Sequence, residues 1–172
     1  MRVYLPSTLP LLAAVVAAGE IGPPPLAGCA VTPALREWYV EGDAEELEYV
    51  ALTAAAAASL ELLSADESAP RRRVVVAADV PDPAVRPVVG ERAGVIVSVG
   101  VPLAEVGAVH VDDPAATAAV EAAVRALAGV DAGDEDAQFL LAEAAAHELG
   151  WYAPSEIREL TEAGPPAPGP AR

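Results

Sequence analysis

His110-Val111-Asp112-Asp113 is the sharpest candidate for chemistry in this chain. On a strand, side chains two apart share a face, so His110 and Asp112 point the same way. An imidazole beside a carboxylate can hold a divalent ion, and Asp79 or Asp134 can complete a metal set of His110, Asp112, Asp79 and Asp134. The same residues also have a structural reading. Asp112 or Asp113 caps the helix opened by Pro114, and His110 sits on a sheet surface. The cap is the stronger reading.

The other candidates fail on spacing. Asp131, Asp134, Glu135 and Asp136 resemble a calcium loop, but an EF-hand needs oxygen ligands at positions 1, 3 and 5 and Gly at 6. Counting from Asp131 puts Gly133 third and Asp136 sixth, so these residues read as the acidic first turn of a helix. His147-Glu148 begins like a zincin helix, yet Trp151 stands where the second His belongs. Ser98 has no assigned base, and the chain has no nucleophile elbow, P-loop or dinucleotide-binding fingerprint. No catalytic residue and no cofactor-binding set emerges.

Leu26-Ala27-Gly28-Cys29 matches a bacterial lipobox. Glu20, Gly22 and Pro23 to Pro25 interrupt the apolar run before it, which does not suit a continuous inserted helix. Cys29 is therefore expected to be a buried or half-buried lone thiol in a reducing cytosol. No apolar stretch is expected to reach the roughly 18 residues of a spanning helix.

Charge limits the partners. The 172 residues carry 26 Asp and Glu against 10 Arg, with no Lys, for a formal charge of −16. Such a field repels polyanions, so neither nucleic acid nor an anionic membrane is an expected partner. Arg71 to Arg73 are too few for a binding stripe and read as a solvated strand entrance. Aromatics make up only 4%. Leu, Val and Ala must build the core, with Tyr4, Trp38, Tyr39, Tyr49, Phe139, Trp151 and Tyr152 as its large anchors.

The elements follow from period and caps. A strand is expected over 2–5, then a helix over 9–19 with Pro10 in its first turn and Gly19 at its end. Residues 29–31 read as extended and Thr32-Pro33 opens a short helix. Asp43 and Glu46 form a capping box for a long helix over 44–64, whose two apolar stripes predict burial on two sides. Strands are expected over 73–80, 95–99 and 108–111, with a Pro-rich connection over 81–90. Helices from 114 and over 134–147, an extended 149–153 and a helical turn at 154–160 complete the order. A disordered Pro/Gly-rich tail is expected over 163–172. The reading is a single α+β domain over 1–162, a helix-backed mixed or antiparallel sheet of about five short strands with some ferredoxin-like character. A doubly wound α/β sheet is the alternative.

Taken together, Met1–Pro6, Ala30–Glu37, Glu45–Tyr49, Arg72–Val80, His110–Asp113, Gly133–Ala137 and His147–Tyr152 resemble a family of small acidic actinobacterial proteins classed as a domain of unknown function. The resemblance covers the chain to about residue 160. It implies an intracellular protein with an intact N-terminal strand, and brings no activity, cofactor or catalytic residue. The expected function is a non-catalytic binding or regulatory module in the cytoplasm that self-associates or meets a basic protein surface. A divalent-metal-binding protein or metal-dependent enzyme using His110 and Asp112 is the alternative.

Overall fold

A computed structural model describes residues 1–39 and 42–162. The tail expected over 163–172 lies outside the described residues. The strands are β1 (Arg2–Ser7), β2 (Glu20–Ile21), β3 (Leu26–Ala30), β4 (Val74–Asp79), β5 (Val85–Pro87), β6 (Gly94–Val97), β7 (Val101–Pro102), β8 (Val106–Asp112) and β9 (Leu149–Tyr152). The helices are α1 (Leu9–Ala18), α2 (Pro33–Trp38), α3 (Ala44–Ala65), α4 (Thr117–Asp131), α5 (Glu135–Ala145) and α6 (Ile157–Glu162).

Seven strands form one sheet in the order β5-β6-β3-β1-β4-β8-β9, and β2 pairs with β7 as a separate ribbon. Every pairing is antiparallel, so the fold is α+β and not doubly wound. Two main-sheet strands exceed the expected five. β5, where Pro87 ends the strand, lies within the segment read as a connection. Its proline fits an edge position, where one face of the backbone needs no donor.

Side chains alternate between two covered faces. Val3, Leu5, Val74, Val76, Val109 and Val111 pack with Leu12 of α1 and Ile157 of α6. Tyr4, Val75, Ala77 and Ala108 pack with Leu35 of α2 and Leu47, Ala51 and Ala55 of α3. Burial on both faces is why β4 reads as an unbroken apolar run. Farther along α3, Leu60 and Leu63 join Val120, Ala123 and Ala144 of the α4–α5 pair. The two-sided burial expected of α3 is thus met by two different partners, the sheet and that pair.

Local chemistry sets the ends. Thr8 accepts from the Leu11 amide and Gly19 closes α1 at φ 76°, in the left-handed region. Asp43 and Glu46 form the reciprocal capping box of α3. Ser59 Oγ donates to the Ser7 carbonyl at 2.7 Å and accepts from the Val74 amide at 3.1 Å, tying α3 to β1 and β4.

Two expectations need correction. By length and composition α3 is apolar enough to cross a membrane, because its alanines raise hydropathy without large side chains. In the fold its Leu47, Ala51, Ala55 and Ser59 lie buried. Of the seven aromatic anchors, Trp38, Tyr39, Tyr49, Phe139 and Trp151 are exposed. The interface between α3 and the sheet is built mainly from Ala51, Ala55, Ala77 and Ala108, and Tyr4 is the one fully buried ring there among the described residues.

Leu26-Ala27-Gly28-Cys29 forms an inner strand between β1 and β6. Cys29 is buried, and burial with the nearby Glu91 charge pushes its thiol up to about 11. A Cβ at Gly28 would lie 2.9 Å from Leu5 Cδ2 and 3.1 Å from the Tyr4 carbonyl oxygen. Gly28→Ala should therefore lower unfolding stability by about 1–3 kcal/mol in urea titrations, and an unchanged midpoint would show that the β1–β3 contact has slack.

Candidate functional site

The Arg triplet at the entrance to β4 is not solvated in the way its sequence suggests. Arg71 donates to the carbonyls of Leu63 and Asp66, closing the C-terminus of α3. Arg72 Nε donates to the Asp112 carbonyl at 2.7 Å. Arg73 is 2% exposed. Its Nε and Nη2 donate to Asp112 Oδ2 and Oδ1 at 2.8 and 2.7 Å, and its amide donates to Oδ2 at 2.7 Å. Nη2 also donates to the His147 carbonyl at 2.8 Å. One guanidinium thus joins β4, β8 and the corner between α5 and β9. The sequence hides this because its acidic partner lies 39 residues away.

That pairing decides where the proposed metal ligands stand. His110 and Asp112 do share the α3 face of β8, yet both Asp112 oxygens are occupied by Arg73. Asp79 sits at the opposite end of β4, roughly 20 Å away by strand rise. Arg2 grips it through two hydrogen bonds of 2.9 Å, chiefly by which its carboxyl is held below the usual range. Asp134 caps α5, accepting from the Asp136 amide at 2.9 Å. Asp113, not Asp112, caps the turn at Pro114 by accepting from the Ala115 amide. The structure does not bring the four residues together. Among the described residues no three His, Cys, Asp or Glu side chains are placed to share an ion.

What it does bring together is a pair the sequence reading left apart. His110 and His147, the chain's only histidines, line one pocket of about 290 Å³ with Tyr49, Leu52, Thr53, Glu148, Leu149 and Trp151. Strand pairing explains it. β8 and β9 align His110 with Trp151 and Asp112 with Leu149, while α5 ends just before His147. Trp151 and Tyr49 stand 62% and 58% exposed at this pocket. Trp38, also exposed, carries the Arg92 guanidinium over one face at 3.5 Å from the ring centre. The signal that could have found the pocket was the extended run at 149–153, since pairing it with the strand holding His110 carries His147 to the same place.

Burial, aided by the Arg2 charge, holds the His110 imidazole below its ordinary range. It is thus a neutral polar group near pH 7. Arg73, with Nε and Nη2 committed to Asp112 and the His147 carbonyl, also lines the pocket, which offers rings, aliphatic wall, two imidazoles and the Glu148 carboxylate. The Thr53 hydroxyl on its wall donates to the Tyr49 carbonyl at 2.9 Å. A more apolar hollow of about 350 Å³ beside α1, lined by Leu11, Val15, Ile21 and Leu26, has Glu20 as its sole charged residue.

The model of a family of unknown function (DUF6912) matches residues 1–161. The chain belongs to that family. No curated protein and no solved structure matches it. The DUF6912 match spans every described strand and helix up to α6, so the pocket lies within the family's own fold.

Asp112→Leu leaves the Arg73 guanidinium buried without its carboxylate and should cost about 3–5 kcal/mol in urea unfolding. Arg73→Met combined with Asp112→Leu should recover at least half of that loss, and a double variant no better than the single would show the pair to be irrelevant. For His110 the sign follows from its depressed value. The unfolded imidazole takes up a proton near pH 6.5 and the folded one only at lower pH, so stability is present above about 6.5 and lost as pH falls toward the folded value. Between about pH 7.5 and about pH 5.5 the urea midpoint should drop more for the parent chain than for His110→Gln. Parallel drops would remove His110 as the cause.

Proposed function

We propose that this protein is a non-catalytic binding module whose partner is another protein, met at the pocket between α3 and the corner joining α5 to β9. The supporting observation is the solvent-facing placement of Trp151 and Tyr49 around two imidazoles. Large amphipathic rings in the open carry contact area with little rotamer entropy to lose, which is why they anchor protein interfaces. The formal charge of −16 favours a basic partner surface and speeds encounter with it at low salt.

Affinity capture from a native extract, comparing the parent chain with Trp151→Ala and Tyr49→Ala, tests this reading. Both variants keep the fold because both side chains are mostly solvated. A specific polypeptide retained by the parent should fall by about tenfold or more with Trp151→Ala, and its retention should weaken in high salt. Equal retention by parent and variants, with unchanged circular dichroism, would refute the site.

A further inference from the structure

Resting on the binding-module reading, we infer that β9 is a docking strand: an extended cationic segment of the partner adds to its open edge and lengthens the sheet by one strand. β9 ends the seven-strand order, with β8 on one side and no described strand on the other. Alternate residues of an edge strand turn N–H and C=O outward, a template for another chain. The two edges of this sheet are built differently. β5 carries Arg86 and Pro87, residues that blunt edge pairing. β9 reads Leu149-Gly150-Trp151-Tyr152, with neither charge nor proline.

Each face beside β9 has a receptacle for alternate side chains of an added strand. On the α3 side, Leu149 and Trp151 border the pocket of about 290 Å³ that holds His110, His147 and Glu148. On the opposite side, Tyr152 borders a hollow of about 170 Å³ with Glu156, Glu159, Leu160 and Arg72, the last already donating to the Asp112 carbonyl. A strand laid along β9 sends successive side chains to these two places. An apolar residue suits the ring-lined pocket and a cationic residue suits the glutamates.

Charge selects the occupant. Glu148 lies on one side, Glu156 and Glu159 on the other, and the whole chain carries −16. A second copy would bring identical acidic rims and two like-charged bodies together, whereas a basic segment neutralises both. Affinity then comes from main-chain hydrogen bonds and the aromatic wall, and selectivity from the alternating pattern.

The probe is a short labelled peptide of alternating Val and Arg, capped at both ends, titrated against the full chain by fluorescence anisotropy at low salt. It should bind about tenfold or more tighter than its Val and Glu counterpart. N-methylating one alternate set of its amides should weaken binding about tenfold, while methylating the other set changes it little. Glu148→Gln with Glu159→Gln should weaken the Arg peptide and leave the fold intact, and amide shifts on binding should centre on Leu149 to Tyr152. Indifference to both methylation patterns, or shifts centred elsewhere, overturns the docking strand. If Trp151→Ala still abolishes capture in that case, the module reading survives and the edge inference alone fails. Light scattering that finds a dimer dispersed by Trp151→Ala would assign the edge to a second copy and also overturn the inference.

Discussion

A buried guanidinium is tolerable only when every donor it presents inward has an acceptor, and Arg73 meets that condition through Asp112 and the His147 carbonyl. The rest of the molecule's outer half depends on this arrangement. Without it β4, β8 and β9 would keep their ladders, but among the described residues no side-chain hydrogen bond would hold the corner before β9. That corner places His147 and Glu148 over His110 and presents Trp151. An ion pair this deep is a poor source of net stability compared with apolar packing. Its value here is geometric: the bidentate contact fixes the guanidinium against β8, and from there Nη2 holds the His147 carbonyl between α5 and β9.

The alanine content works in the same direction. Small residues on both sides of the α3–sheet interface let helix and sheet approach closely, and the core is mostly Val, Leu and Ala. Apart from the buried Tyr4, the rings beside that interface stand at the surface. Tyr49 and Trp151 stay exposed and border the same pocket, and their exposure supports the proposed binding role. DUF6912 membership extends over all of these elements.

Much of the fold is legible in the residues. Val74 to Val76 announce a strand covered on both faces, Asp43 with Glu46 marks the start of α3, and Thr8, Pro10 and Gly19 bracket α1. Strand pairing is less legible. β5, β2 and β7 are two or three residues long, and β5 and β7 end in proline, so no period develops. The site was legible in halves. His110 and Asp112 do share a face, but the identity of Asp112's partner depends on contacts between residues 39 apart, which no local pattern encodes. Arg71, Arg72 and Arg73 look alike in sequence, yet only the last, just ahead of β4, is buried. His147 looked like a broken helical motif because its meaning comes from β9 pairing with β8.

Native-state hydrogen exchange in Asp112→Asn tests the central claim most directly. If Arg73 and Asp112 anchor the α5–β9 corner, amides from His147 to Tyr152 should lose protection well beyond the global change, while those of β1 and the centre of β4 follow global stability alone. Uniform loss across all strands, with β9 no more affected than β1, would contradict the account.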